Sequence, residues 1–149
     1  MTNSPETPRA VVAAHGGLAA GLVSAVQEIT GLGAGLLALS NSGLDLVALE
    51  RAMRDAVGGH GATVIFTDLP AGSCAFAARK ATRDLPGVAV VTGVNLTTLL
   101  EFVLKGGADR AALEHAAARG RDAIAVAPGL GADGAGGAAG AAPAPEPRA

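Results

Sequence analysis

Tryptophan and tyrosine are absent from the 149 residues, and phenylalanine occurs only three times. Aromatic platforms for stacking bases or sugar rings are therefore not available. Cysteine occurs once, as Cys74, so no disulfide framework or multi-cysteine zinc site can be built. A single cysteine fits a reducing cytoplasm, the location expected from sequence. Basic residues number 11 against 13 acids, with no Lys/Arg-rich run, and the electrostatic footprint of a nucleic-acid binder is missing. Apolar runs are broken by Gly, Asp or Arg before they approach the roughly 20 residues that span a bilayer. Met1 to Arg9 is polar and holds two prolines, which is not the pattern of a signal peptide.

What remains is 50% hydrophobic, enough for one domain with a core. Ala10-Val11-Val12-Ala13-Ala14 is short, apolar on both faces and β-branched in its middle, as a doubly buried strand requires. It stops at His15-Gly16-Gly17. Leu18, Leu22, Val26 and Ile29 follow at helical period, closed by Gly31-Leu32-Gly33. A second strand is expected at 36–39. The next helix runs from Leu46 through Leu49, Met53, Ala56 and Val57, with Gly58-Gly59 as its end. The pattern then gives a third strand at 62–67 and a helix starting at Ser73. Arg79, Lys80 and Arg83 complement the dipole near that helix's end. Val88 to Val91 is a fourth strand. Asn95 and Asp109 cap two further helices, and Ala123 to Val126 reads as a short last strand. Strand and helix alternate four times, which predicts an α/β, doubly wound, mostly parallel open sheet of flavodoxin-like order, with helices on both faces. The domain is expected over 9–127. Residues 1–8 are expected to be disordered, as is the Gly/Ala/Pro tail of 128–149.

In such a sheet, ligands bind beyond the carboxyl ends of the strands, where strand order switches, between strands one and three. His15 ends strand one. Asp68 ends strand three, followed by Gly72-Ser73 at a helix start. Neutral imidazole is a competent nucleophile near neutral pH. A carboxylate on one ring nitrogen fixes the tautomer and offsets the charge gained on phosphorylation. Free N–H groups around Gly72 and Ser73 can hold phosphate oxygens. The plainer readings stay open: a structural histidine, a turn-forming aspartate and an ordinary helix cap. His60, before strand three, and His115, on an apparent helix surface, are expected to have no role. Cys74 is read as a small helix residue, and Glu28 and Glu101 as solvated. A hydrolase would want G-x-S-x-G, where the chain has Ala71-Gly72-Ser73-Cys74-Ala75. A metal site would have His15 and Asp68 with no obvious third ligand, and neither metal nor cofactor is expected. No dinucleotide or Walker loop is present.

Three stretches resemble the mannose-family IIA domain (type 4) of the bacterial phosphoenolpyruvate-dependent sugar phosphotransferase system: Ala14-His15-Gly16, Asp68-Leu69-Pro70-Ala71-Gly72-Ser73, and Gly93-Val94-Asn95-Leu96 through Leu99-Leu100-Glu101. The resemblance covers about residues 10–126. It implies a phosphotransferase in which His15 takes a phosphoryl group from the phosphorylated histidine carrier protein. The group then passes to a IIB partner, which phosphorylates sugar during import through a membrane permease. It implies that Asp68 is the carboxylate beside that histidine and Ser73 the serine near the phosphate. It also implies a homodimer that exchanges a C-terminal strand, here 123–127. The chain departs from the family where Ala71-Gly72-Ser73-Cys74 replaces Gly-Gly-Ser-Pro and where Ala14 replaces Thr. A regulatory module of the same fold, which senses phosphorylation state without feeding a transporter, is the alternative.

Overall fold

A computed structural model of the chain describes residues 9–131. The expectations for 1–8 and for most of the tail, 132–149, lie outside those residues. The first strand, β1 (Ala10–Ala14), is buried along its whole length. It lies between β2 (Leu36–Ser40) and β3 (Val64–Thr67), and β3 in turn carries β4 (Ala89–Val91). All pairings are parallel, in the order β2-β1-β3-β4, with Ala10 opposite Leu36 and Val64, and Val64 opposite Ala89. Crossover helices α1 (Leu18–Thr30), α2 (Leu46–His60) and α3 (Ser73–Ala81) connect the strands; α4 (Leu96–Lys105) and α5 (Arg110–Asp122) follow β4. This is the expected α/β, flavodoxin-like sheet.

Successive side chains of a strand point to opposite faces, and β1 splits the core accordingly. Val12 and Ala14 pack with Val26, Leu99, Phe102 and Leu113, from α1, α4 and α5. Val11 and Ala13 pack with Leu49, Met53, Cys74 and Ala78, from α2 and α3. On the first face the rings of Phe66 and Phe102 meet edge to face, with centroids 5.0 Å apart, worth about 0.5–1.5 kcal/mol beyond their burial. The caps fall where sequence placed them. Asn95 accepts from Thr98 N at 3.0 Å and Asp109 from Ala112 N at 2.8 Å; Asp45 caps α2 in the same way, accepting from Ala48 N.

Besides the one-residue extension of β2 to Ser40, boundaries differ in five places. First, α2 runs through Gly58-Gly59 to His60 and closes at Gly61, whose N–H donates to Val57 O. A glycine inside a helix costs only about 1 kcal/mol, and the packing of Leu49 and Met53 outweighs it. Second, β3 begins at Val64, because Ala62 N is spent on Val57 O at that helix end. Third, β4 begins at Ala89, because Val88 N closes a turn onto Leu85 O. Fourth, Arg83 lies beyond α3, leaving Arg79 and Lys80 in its last turn. Fifth, Ala123 to Val126 forms no strand in this chain. Ile124 donates to Arg121 O at the end of α5, and the Ile124 and Val126 side chains are exposed. With no strand beside it, the segment has no ladder to join. Among the described residues the outer edge of β4 is unpaired. An open groove of about 640 Å³ runs alongside it, lined by Ala89, Val91, Arg110 and Leu113 among others.

Candidate active site

The carboxyl ends of β1 and β3 are neighbours because the two strands pair in register, Ala13 opposite Thr67. Asp68 therefore comes level with Ala14, and His15, the next residue along after β1, is brought beside it. One carboxylate oxygen, Asp68 Oδ2, accepts from the His15 backbone N–H at 3.0 Å and lies 2.8 Å from Nδ1 of the ring. The main chain thus places the histidine and the same oxygen orients its imidazole. The two side chains sit in different surroundings, His15 44% exposed and Asp68 8%. The ring faces solvent while its partner is held below the surface.

Burial pushes the Asp68 carboxyl upward, but hydrogen bonds from the His15 backbone and ring, with the ring's charge, outweigh it and hold the group below the ordinary carboxylate range. With Oδ2 serving His15 twice, Oδ1 is buried and has no hydrogen-bond partner among the described residues.

Gly72 precedes α3 with φ +106° and ψ −173°. An L side chain rarely adopts that conformation, so the turn that starts the helix is reserved for glycine. No side chain caps α3, which leaves the first-turn amides at Ser73 free to meet an anion. Ser73 is half-buried. Cys74, one residue on, is buried in the second core cluster, as a small helix residue should be. It also reaches the site: its Sγ, a ring nitrogen of His15 and a carboxylate oxygen of Asp68 all lie within 4.8 Å of one another. The sequence offered no obvious third ligand beside His15 and Asp68, and Cys74 is the side chain the fold brings near them. Burial, then the Asp68 charge, push the Cys74 thiol up.

Ser40-Asn41-Ser42 lies at the carboxyl end of β2. The structure makes it the second wall of the site. Ser40 Oγ donates to Gly16 O at 2.8 Å, and Asn41 Oδ1 accepts from Gly16 N at 3.3 Å, bracing the turn that carries His15. The available signal was position: β2 neighbours β1 at the switch point, so its carboxyl end had to lie there. Thr92-Gly93 follows the end of β4. The next residue, Val94, donates to Thr67 O at 3.0 Å.

The remaining histidines lie elsewhere. His60 Nε2 is 3.0 Å from Gly35 O, at the amino end of β2. His115 Nε2 lies 3.6 Å from Glu101, which also meets Arg119 at 3.5 Å. Glu101 is not solvated as expected: its side chain is 19% exposed, because α5 lies across it. Glu28 is exposed.

No described helix is long and apolar enough to cross a membrane. No protein-family model matches the chain, and no curated protein matches its sequence. Solved structures do match. The mannose/sorbose-specific IIA subunit of the phosphotransferase system from Enterococcus faecalis superposes with a TM-score of 0.71 at 19% identity, over 83% of this chain and 96% of that one. The IIA protein associated with the fucose utilization operon of Streptococcus pneumoniae gives 0.70 at 22% identity, over 80% and 93%. A sigma-54 interaction domain protein from Enterococcus faecalis gives 0.63 at 15%, over 77% and 91%. The resemblance carried by three short motifs thus extends to the whole architecture, and the chain has the fold of the IIA components of sugar phosphotransferase systems.

Proposed function

We propose that the chain is a phosphoryl carrier of a mannose-family sugar phosphotransferase system, with His15 as the phosphorylated residue. The observation that carries this reading is the 2.8 Å contact from His15 Nδ1 to the Asp68 carboxylate, beneath an otherwise exposed ring. With Nδ1–H donating to Asp68, the lone pair of Nε2 is left facing solvent. It attacks the phosphorus of the phosphorylated histidine carrier. A new N–P bond forms, the donor's P–N bond breaks, and its electron pair returns to the donor ring. The His15 ring then carries positive charge, which Asp68 offsets from 2.8 Å, while the amides and hydroxyl at Ser73 hold the phosphoryl oxygens. The reverse geometry delivers the group to a IIB partner for sugar uptake. In this reading the protein works in the cytoplasm as a homodimer, and the β4 groove receives 123–127 of the partner subunit.

Incubation with phosphoenolpyruvate, enzyme I and the histidine carrier should add one acid-labile phosphoryl group per chain. His15→Ala should abolish the labelling, whereas His60→Ala and His115→Ala should retain it. Labelling that survives in His15→Ala would overturn the assignment.

A second reading is favoured by the sigma-54 interaction domain protein of the same fold. In it, the chain accepts the phosphoryl group as a signal and feeds no transporter. Genes for IIB, IIC and IID components beside this one support the first reading; a regulator there instead supports the second.

A further inference from the structure

Asp68 is over-provided for a residue that only orients a histidine. Its side chain is 92% buried, taken as the complement of the 8% exposed, and one of its two oxygens has no donor among the described residues. A carboxylate oxygen removed from water without a partner costs free energy and calls for a cation or a donor. The site supplies two further groups with lone pairs, a His15 ring nitrogen and Cys74 Sγ, each within 4.8 Å of the other and of the carboxylate. Imidazole nitrogen, carboxylate oxygen and thiolate sulfur together form a borderline-soft donor set, suited to zinc more than to magnesium or calcium.

We propose that His15, Asp68 and Cys74 form a Zn²⁺ site whose fourth position is open to water on the exposed side of the His15 ring. Around one tetrahedral zinc, with bonds of about 2.0–2.3 Å, ligand atoms stand roughly 3.3–3.6 Å apart. Closing the longest separation from 4.8 Å to that spacing needs a shift of about 1.2–1.5 Å, shared among three side chains. Binding forms a Zn–S bond, releases the thiol proton to solvent and displaces water from the ion. Two negative ligands against a doubly charged ion leave the site neutral, which suits its half-buried position. A zinc ion held by His15 and Asp68 takes up the carboxylate charge that the proposed carrier chemistry uses to offset a phosphorylated ring, so metal binding competes with that chemistry. That last consequence rests on the carrier reading; the binding itself does not.

The test is zinc titration of the full-length, metal-free protein with ZnCl₂ in competition with a chromophoric chelator, with no phosphoryl donor present. Wild type should bind one Zn²⁺ per chain. Cys74→Ala and His15→Ala should each lose at least about tenfold in affinity, and His115→Ala should match wild type. Co²⁺ in place of Zn²⁺ should give a thiolate charge-transfer band that Cys74→Ala lacks while keeping wild-type circular dichroism. Equal zinc affinity in wild type and folded Cys74→Ala would overturn the site, as would wild type that binds no zinc. Because phosphorylation plays no part in the assay, a failure to label His15 leaves its result standing.

Discussion

Asp68 carries three demands at once, and substitution can separate them. Asp68→Asn keeps the shape but removes the charge that would balance a phosphorylated ring. We expect phosphoryl transfer to slow by roughly 100-fold or more, with the fold retained by circular dichroism. Transfer at the parent rate in a folded Asp68→Asn would rule out the pairing as the basis of the chemistry. The same residue sets a pH dependence. Its carboxyl titrates below its ordinary value of 3.8 in the folded protein, so the charged form is favoured by folding. That contribution is fully present above the ordinary value and is lost as pH falls through the folded one. Urea unfolding of wild type and Asp68→Asn should therefore show their stability difference shrinking below about pH 4. A difference that stays constant from neutral pH to pH 2 would contradict the depressed carboxyl.

Between elements, the start of α4 is fastened to the end of α5. Asn95 caps α4, and its Nδ2 donates to Gly120 O on α5 at 2.8 Å, while Thr98 Oγ1 donates to Asn95 Oδ1 at 2.9 Å. Gly120 is what lets the helices come so close. A methyl group there would run into Thr98 Oγ1 and stand 2.9 Å from Asn95 Oδ1. Gly120→Ala should destabilise the protein by about 1–3 kcal/mol through overpacking, read from denaturant unfolding. Part of that loss should return in the double variant with Thr98→Ala. A Gly120→Ala protein as stable as wild type would show that the crossing relaxes at no cost.

For the whole molecule, the outer edge of β4 is the open question of assembly. A short apolar strand with an unpaired edge needs a covering partner, and an exchanged segment would supply one. Truncation after Pro128 should leave a homodimer intact. Truncation after Asp122 removes Ile124 and Val126, whose side chains are exposed in the single chain, and should give monomer or aggregate. Light scattering on the two proteins decides the matter. A stable, soluble dimer lacking 123–149 would show that this segment does not hold the subunits together.

Strand and helix identity were legible from sequence because they are set by local rules: the doubly apolar run of β1, the helical spacing of Leu46, Leu49 and Met53, and the caps at Asn95 and Asp109. The nearness of His15 and Asp68 was legible too, since a parallel α/β sheet gathers the carboxyl ends of neighbouring strands at one edge once the strand order is known. Helix length past Gly58-Gly59 was not, because packing of one face outweighs a glycine's weak preference. The bracing by Ser40 and Asn41, the approach of Cys74 to the site and the burial of Glu101 were likewise decided by tertiary structure. Each depends on which side chains from separate elements meet, and on how much water those meetings exclude, and neither is a property of any segment read alone.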